Sequence, residues 1–359
     1  MRIVVDVTPL SIQRTGIGNY LLGMLGGLAA AGDDVETVAF TVAGPRGKRR
    51  IEAALDGFDV ERRLVLVPPS SHTWRTAWSR LGRGFVERLA GPLDVFHFSD
   101  WMFPPQRAGV RATTIFDLIP VHYPAWVAPL TRRMHGRKYR NAARTCDVIF
   151  AISSFSADDI AETLAVARDR VRVAYPGVDA RYTPEGEAAD LGEPYLLAVS
   201  TLEPRKNLPT LIEAFTLVRR QHRELALAVA GAEGWGGRQD LDREGVRWLG
   251  YVPDAELPAL YRGAEALVYP SLFEGFGMPV VDAMACGAPV VSSAHPSLDE
   301  ASGTVALRAE PKSAESFAAA IEQALSQRTE LRGPGLAHAA DFTWRACAEA
   351  VLEGYRTAV

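Results

Sequence analysis

Residues 269–292 read Tyr-Pro-Ser-Leu-Phe-Glu-Gly-Phe-Gly-Met-Pro-Val-Val-Asp-Ala-Met-Ala-Cys-Gly-Ala-Pro-Val-Val-Ser. The apolar run that ends at Tyr269 predicts a buried strand, and the glycines that follow it predict a turn. Residues 278–286 predict a helix, and residues 289–292 predict a second buried strand. This order is a βαβ unit, which belongs to a parallel sheet. The stretch therefore indicates an α/β protein.

Two acids accompany the turn and the helix of this unit. Glu274 follows the first strand, and Asp282 lies eight residues later, about two turns into the helix. Ligands bind parallel sheets at the carboxyl ends of the strands, where a helix N-terminus offers free N–H groups. Such an edge suits a phosphorylated sugar or a nucleotide. The alternative is an ordinary turn whose acids are solvated.

Length and composition predict a globular protein of two domains. The chain has 359 residues, which is too long for one small core, and 48% of them are hydrophobic. The three cysteines form no paired pattern and support neither a disulfide framework nor a structural zinc site. No stretch resembles a signal peptide or a membrane span, so we expect a cytoplasmic protein.

The net charge of −4 is unevenly distributed along the chain. Residues 1–180 carry 23 basic and 18 acidic side chains, whereas residues 181–359 carry 16 and 25. The basic half suits an anionic acceptor or a membrane surface, or it is simply solvated. No long basic run indicates a nucleic-acid partner.

Strand and helix signals alternate in two series. The first occupies residues 1–180 and predicts strands at 2–8, 35–42, 64–67, 94–98, 112–116 and 148–152. The second occupies residues 195–340 and predicts strands at 195–200, 226–230, 246–249, 266–269 and 289–292. The polar, proline-bearing residues 181–194 predict the linker. We expect two Rossmann-like, doubly wound domains that face each other across a cleft.

Two loops near the starts of these series suit a phosphorylated ligand. Gly16 and Gly18 open a helix, and their amides suit a phosphate, although a plain tight turn is the alternative and the third glycine of a dinucleotide fingerprint is missing. Arg205 and Lys206 lie at the same predicted sheet edge as Glu274. Two cations there suit a diphosphate; the alternative is a surface position.

Together these segments resemble the retaining glycosyltransferases of family 4, which have the GT-B fold. The resemblance runs along nearly the whole chain and rests on Gly16–Tyr20, Asp117–Pro120, Ile152–Ser156, Tyr175–Asp179, Glu203–Asn207, Gly250–Pro253, Pro270–Gly277 and Phe342–Trp344. Such enzymes move a sugar from a nucleotide sugar to an acceptor hydroxyl with retention of configuration. The resemblance implies a donor site mainly on the C-terminal domain and a helix at about 342–359 that returns to the first domain.

The resemblance also implies roles for individual residues. Glu274, the first acid of the family's E-x7-E motif, would contact the hydroxyls of the donor sugar. Asp282 replaces the glutamate that usually binds the ribose. Arg205 and Lys206 would neutralise the diphosphate. The other expected donor contacts are Gly16, Gly18, Tyr251, Val252, Gly275, Phe276, Gly277 and Met278.

A second departure from the family pattern lies before Asp117, where many relatives carry histidine and this chain has Phe116. Asp117 then becomes the candidate for touching the donor sugar or orienting the acceptor, unless it only caps the following turn. His97 is a further candidate near the cleft, or a satisfied core histidine.

Residues 74–88 bring Trp74, Trp78, Leu81 and Phe85 near one helical face, with arginines nearby. This stripe suits a peripheral contact with the inner face of the membrane, or it packs on the sheet as a crossover helix does.

We expect no metal and no cofactor, because fixed cations and amides stabilise the charge that develops on a leaving diphosphate. Asp240 and Asp242 form the chain's Asp-x-Asp, and their charged surroundings predict a solvated face. The expected reaction is transfer of a hexose to a glycan, a lipid-linked acceptor or a small molecule. The first candidate is mannose, with GDP-mannose as the donor. UDP-glucose, UDP-N-acetylglucosamine and deoxysugar donors stay open. The alternatives are a nucleotide-sugar epimerase and a non-enzymatic two-lobed sugar-binding protein.

Overall fold

A computed structural model of the chain describes residues 1–32, 34–66, 78, 84–98, 103–234 and 241–358. The chain divides into two compact units. The first unit consists of Met1–Gly177 and Thr343–Val359, and the second of Val178–Phe342. Residues 181–194, the predicted linker, lie in the second unit.

The described part of the first unit is built on a seven-stranded parallel sheet with the order β3-β2-β1-β4-β5-β6-β7. The strands are β1 (Arg2–Asp6), β2 (Glu36–Ala43), β3 (Glu61–Leu66), β4 (Val95–Phe98), β5 (Val110–Ile115), β6 (Val148–Ala151) and β7 (Val171–Val173). The strand order reverses between β1 and β4, and such a switch point is where doubly wound sheets bind ligands.

Within the described residues, helices follow most of these strands. They are α1 (Gly16–Ala29), α2 (Pro45–Ala54), α3 (Glu87–Ala90), α4 (Ile119–His122), α5 (Pro129–Thr145) and α6 (Ser154–Thr163). One face of the sheet contributes Phe40, Phe96 and Phe98 to a buried core that also holds Trp78 and Tyr139. The first unit thus has its own apolar core.

The described part of the second unit has a six-stranded parallel sheet with the order β10-β9-β8-β11-β12-β13. The strands are β8 (Tyr195–Val199), β9 (Ala226–Ala230), β10 (Val246–Gly250), β11 (Ala266–Tyr269), β12 (Val290–Ser293) and β13 (Leu307–Ala309). The helices are α7 (Leu208–Val218), α8 (Leu257–Gly263), α9 (Met278–Ala285), α10 (Asp299–Ser302), α11 (Ala314–Ser326) and α12 (Arg328–Ala339). The order again reverses, beside β8, and the loops after β8 and β11 meet at that point.

The last helix, α13 (Trp344–Thr357), belongs to the first unit and packs against α1. A β-carbon at Gly23 would overlap the indole ring of Trp344, and one at Gly27 would overlap the Trp344 carbonyl oxygen. The two glycines therefore permit the close approach of the two helices. Near the other end of α13, the hydroxyl of Tyr355 hydrogen-bonds with Nδ1 of His97 at 2.6 Å.

Candidate functional site

The loops after β8 and β11 are held together by the backbone and by one asparagine. The N–H of Leu272 donates to the carbonyl oxygen of Arg205 at 2.8 Å. Asn207 has φ of 54°, in the left-handed region that asparagine tolerates better than most residues, and this ends the short 3-10 turn Pro204–Lys206. Its side-chain amide donates to the Pro270 carbonyl oxygen at 3.1 Å. The two loops are thereby fixed against each other.

Glu274 lies at the centre of a charged network at this edge. Its Oε1 accepts hydrogen bonds from Lys206 Nζ at 2.6 Å and from the Tyr269 hydroxyl at 3.0 Å, and its Oε2 accepts one from Arg205 Nη1 at 2.7 Å. Lys206 Nζ also donates to the Tyr269 hydroxyl at 2.9 Å, and Arg205 Nε donates to Glu203 at 2.8 Å. The structure thus brings together Arg205, Lys206 and Glu274, which the sequence placed at one edge.

Burial gives this network its electrostatic character. Glu274 is 8% exposed and Lys206 is 7% exposed. Burial alone would raise the pKa of Glu274, but Arg205 and Lys206 outweigh it and lower that pKa to about 2. Burial, and then the nearby Arg205, lower the pKa of Lys206, while Glu274 opposes that shift. Glu274 is therefore firmly ionised and holds both cations in place.

Tyr269 and Ser297 join the network without having been selected from the sequence. Tyr269 is the last residue of β11, and its buried hydroxyl bridges Lys206 and Glu274. Ser297 Oγ accepts the backbone N–H of Glu274 at 3.0 Å. The position of Tyr269 at the carboxyl end of a strand beside the motif was a usable signal for its role. Ser297, from a separate turn, had none.

The turn between β11 and α9 requires glycine at one position. Gly277 has φ of 105°, and a β-carbon there would come within 2.6 Å of Leu298. Gly277 is the N-cap of α9, so Met278 opens the helix. The neighbouring Phe276 is buried and packs its ring at 5.2 Å from that of Phe342. Backbone amides of the first turn of α9 thus begin at the loop that carries Glu274 and Gly275.

Asp282 lies in the second turn of α9 and has a different environment. Its side chain is buried, and burial raises its pKa well above the ordinary value of 3.8. The negative charges of Asp179 and Asp254 raise it further, whereas Arg181 lowers it. Arg181 is itself paired with Asp179, through Nε at 2.8 Å and Nη2 at 3.0 Å. Asp282 is therefore surrounded mainly by acids.

Two of the expected donor contacts, Tyr251 and Val252, lie directly after β10. Gly250 ends that strand with φ of 70°, and its carbonyl oxygen accepts the N–H of Gly231 at 2.7 Å. Tyr251 is 44% exposed and Val252 is half-buried. Tyr251 is thus an exposed side chain that follows the strand directly.

The remaining predicted site residues belong to the first unit. Gly16 opens α1, and a β-carbon at Gly16 would meet nothing within 4 Å, while one at Gly18 would meet its nearest atom at 3.5 Å. Packing within the described residues therefore does not require glycine at either position. Asp117 Oδ1 accepts the N–H of Ile119 at 3.0 Å, which is the capping contact expected as an alternative to a catalytic role.

Two further residues considered from the sequence, Phe116 and His97, lie in packed surroundings. Phe116, at the position of the family's histidine, packs edge-to-face on Tyr20 with ring centres 5.3 Å apart. His97 is fully buried and hydrogen-bonds with Tyr355 and Thr114, and burial lowers its pKa to about 3. His97 is thus a satisfied core histidine.

Some predictions fall partly outside the described residues. Of the 74–88 stripe, Trp74 and Leu81 lie outside them, whereas Trp78 is 3% exposed and belongs to the core. Asp240 also lies outside them. Within the described ranges, no group of three or more His, Cys, Asp or Glu side chains is arranged to hold a metal ion. None of the described helices is long and apolar enough to cross a membrane.

Comparison with known proteins identifies related families for both parts of the chain. Residues 14–182 match the family model described as Glycosyltransferase Family 4, and residues 181–333 match that of Glycosyl transferases group 1. The chain is 29% identical to the Escherichia coli O-antigen chain mannosyltransferase B, an alignment that covers 99% of this chain and 100% of the relative. It is 26% identical to a Mycobacterium tuberculosis glycogen synthase, over 96% of this chain and 91% of the relative.

The fold has clear counterparts among solved structures. The Anabaena protein HepE in complex with UDP-glucose superimposes with a TM-score of 0.73 at 16% identity, covering 99% of this chain and 100% of that one. At that identity the likeness concerns the fold. With the two family matches and the two parallel-sheet units, it leads to one conclusion: the chain belongs to the family-4 glycosyltransferases and has the GT-B fold.

Proposed function

We propose that the protein transfers mannose from GDP-mannose to a hydroxyl group of a glycan, a lipid-linked or a small-molecule acceptor, with retention of configuration and without a metal. The observation that carries the proposal is the network of Arg205, Lys206 and Glu274 at the carboxyl edge of the second sheet. The name of the E. coli mannosyltransferase supports mannose as the sugar. The glycogen synthase relative keeps glucose donors as the main competitors.

The proposed chemistry depends on where negative charge develops. The bond between the anomeric carbon and the phosphate oxygen breaks, and the nucleoside diphosphate leaves with the electron pair. The acceptor oxygen bonds to the anomeric carbon on the same face, and its proton passes to the departing phosphate oxygen. Arg205 and Lys206 stabilise the leaving diphosphate because their charges are already fixed before the reaction. The first amides of α9 add partial positive charge at the same edge.

Glu274 has two roles in this proposal. It orients Arg205 and Lys206 through its two carboxylate oxygens, and it faces the donor sugar as the first acid of the motif. The Lys206 ammonium group has three protons, and its contacts to Glu274 and Tyr269 use two of them. One proton therefore remains for a phosphate oxygen. Asp282 accepts the ribose hydroxyls, which supply hydrogen-bond donors to a carboxyl group that otherwise faces acids.

The first experiment is a thermal-unfolding panel with GDP, UDP, ADP and their sugars. A ligand that binds the folded state raises the unfolding temperature. At a concentration of 100 times its Kd, it adds about 2.7 kcal/mol to the free energy of unfolding. We expect GDP and GDP-mannose to give the largest shifts. A larger shift with UDP and UDP-glucose would replace the donor assignment. The absence of any shift would contradict the donor site itself.

Product analysis then separates transfer from the alternatives. Incubation with GDP-mannose and a pool of glycan acceptors should release GDP and yield a mannosylated product with an α-configured anomeric carbon. Conversion of the donor sugar without any acceptor would indicate an epimerase. Tight binding with neither outcome would favour the non-enzymatic sugar-binding protein. A reaction that chelators abolish and added metal restores would contradict metal independence.

A further inference from the structure

The charged side chains of helix α5 are all basic. Its sequence, Pro-Leu-Thr-Arg-Arg-Met-His-Gly-Arg-Lys-Tyr-Arg-Asn-Ala-Ala-Arg-Thr, contains six basic residues and no Asp or Glu. Lys138 is buried and donates to the Thr114 carbonyl oxygen at 2.7 Å. The other five are exposed or half-exposed arginines: Arg132, Arg133, Arg137, Arg140 and Arg144. In the described part of the chain, none of these five forms an ion pair. Their charge therefore faces outward.

Apolar side chains lie exposed beside these arginines. Leu130, in the first turn of α5, is 65% exposed, and Val121, in α4, is 43% exposed. Between these two residues in the sequence, the rings of Tyr123 and Trp126 stack with their centres 4.1 Å apart. A surface cavity of about 370 Å³ joins the two helices, and its lining includes Val121, Arg132, Arg133 and Arg140. Cations and apolar groups thus share one face, made of residues 119–144, which we call the α4–α5 face.

We propose that the α4–α5 face binds the surface of a bilayer that contains anionic phospholipids. Arginine suits this role because its planar guanidinium group forms paired hydrogen bonds with phosphate oxygens. Exposed leucine and valine favour binding because their free energy falls when they enter the boundary between headgroups and acyl chains. Tyrosine and tryptophan favour the same depth. The inference does not depend on which nucleotide sugar the protein uses, because it concerns another part of the molecule.

The apolar residues favour a bilayer over a nucleic acid. A nucleic acid would use the arginines for its phosphates, but it offers little to an exposed Leu130 and Val121. A bilayer uses both kinds of group at once. The earlier stripe at residues 74–88 is a weaker candidate for this contact because Trp78 is buried in the core.

Flotation of the full chain with vesicles tests the proposal. We expect binding to vesicles of phosphatidylcholine with phosphatidylglycerol, little binding to phosphatidylcholine alone, and loss of binding as salt is raised. The triple variant Arg132→Gln, Arg133→Gln, Arg140→Gln should lower the partition coefficient about 100-fold. Leu130→Gln, which keeps every charge, should lower it about tenfold.

A matched control removes the same charge from another face of the same unit. Arg46, Arg49 and Arg50 are exposed on α2. The crossovers to α2 and α5 run in opposite directions along the sheet, and because such crossovers are right-handed the two helices lie on opposite faces. The triple variant Arg46→Gln, Arg49→Gln, Arg50→Gln should therefore bind vesicles within about twofold of the wild type.

Several results would overturn the proposal. They are equal loss of binding in the α2 control, equal binding to neutral vesicles, and no vesicle binding at low salt. Stronger retention on an immobilised oligonucleotide than on anionic vesicles would assign the arginines to nucleic acid instead. Unfolding midpoints of all variants should match the wild type, and Leu130→Gln provides a second readout should the triple variant fold poorly.

Discussion

The two acids of the β11–α9 segment lie eight residues apart and have opposite electrostatic environments. Glu274 accepts hydrogen bonds from two cations and a tyrosine, and its pKa falls to about 2. Asp282 is buried near Asp179 and Asp254, and its pKa rises well above 3.8. One sequence motif therefore contains an acid that is already satisfied by its neighbours and an acid that is not. In the proposed function, the first acid orients the site before the donor binds, whereas the second would gain hydrogen-bond donors from the ribose.

This difference has a consequence for how a donor binds. A diphosphate that approaches Arg205 and Lys206 meets cations that Glu274 already holds. Its binding is favoured because the cations are fixed in position, and it is weakened because the Glu274 carboxylate competes for their charge. Ribose hydroxyls that approach Asp282 meet a carboxyl group surrounded by repulsion, and their hydrogen bonds relieve a cost that the free protein bears. On this proposal, the ribose of the donor would stabilise the folded protein more than its diphosphate does.

Replacement of Glu274 should have the largest effect on stability. Glu274→Gln leaves the buried Lys206 without its carboxylate, and breaking such a buried pair should lower the free energy of unfolding by about 3 kcal/mol. Urea unfolding at neutral pH measures this loss in the free energy of unfolding. Glu265→Gln is the matched control, because its pair with Arg328 is partly exposed and should contribute less than about 1 kcal/mol. Equal losses in both variants would contradict the central position of Glu274.

Replacement of Lys206 should have the next largest effect, on catalysis. Lys206→Met keeps the length of the side chain and removes a charge-assisted phosphate contact, so kcat/KM should fall about 100-fold. Steady-state assays with the donor identified by thermal unfolding would measure this. Lys312→Met removes an exposed lysine from the same unit and should leave kcat/KM unchanged. Full activity of Lys206→Met would place the cation outside the reaction.

Neutralising Asp282 should act in the opposite direction to neutralising Glu274. Asp282→Asn removes a carboxyl group whose charge is opposed by burial, Asp179 and Asp254, so the ligand-free protein should gain about 1 kcal/mol of stability. The same variant should reduce the stabilisation given by a nucleoside diphosphate, because a ribose acceptor is weakened. Loss of stability in Asp282→Asn would mean that the carboxylate makes an essential contact and that the contrast with Glu274 is wrong.

The smallest expected effect is a difference in pH dependence. The folded-state pKa of Glu274 lies below its ordinary 4.5, so its contribution is present above that pH and is lost as the pH falls from 4.5 towards 2. The folded-state pKa of Asp282 lies above 3.8, so its contribution is present below that pH and is lost as the pH rises. Urea midpoints between pH 2 and 7 should fall less steeply in acid for Glu274→Gln than for the wild type, and more steeply for Asp282→Asn. Parallel profiles for all three proteins would remove the electrostatic contrast.

The central elements of both sheets could be predicted because their strands are continuous apolar runs. Ala226–Ala230 was predicted with the bounds that the structure has. The two edge strands Val171–Val173 and Leu307–Ala309 were not predicted, since three residues carry too little pattern. Helix Arg328–Ala339 was also missed, because it contains Pro334 and two glycines that usually interrupt helices. β3 begins at Glu61, earlier than predicted, because its edge position lets polar residues join the strand.

The site was predictable in its parts and not in its connections. Parallel topology was enough to expect Arg205, Lys206 and Glu274 at one sheet edge. It did not reveal that Glu274 uses one oxygen for each cation, nor that Tyr269 bridges Lys206 and Glu274, because those contacts depend on side-chain geometry across 68 residues of chain. The acids around Asp282 were likewise unpredictable, since Asp179 and Asp254 come from separate loops.

The return of helix α13 to the first unit has a consequence for protein synthesis. Residues 178–342 form an unbroken segment with its own sheet, so every strand of that sheet has been made before residue 343 is added. Most of the first unit is made first, but Trp344 and Tyr355, which pack against Gly23, Gly27 and His97, are made only after residues 178–342. Until then Gly23 and Gly27 of α1 lack the indole ring and backbone that pack against them in the folded protein. The earlier-made half of this protein is therefore the later one to be completed.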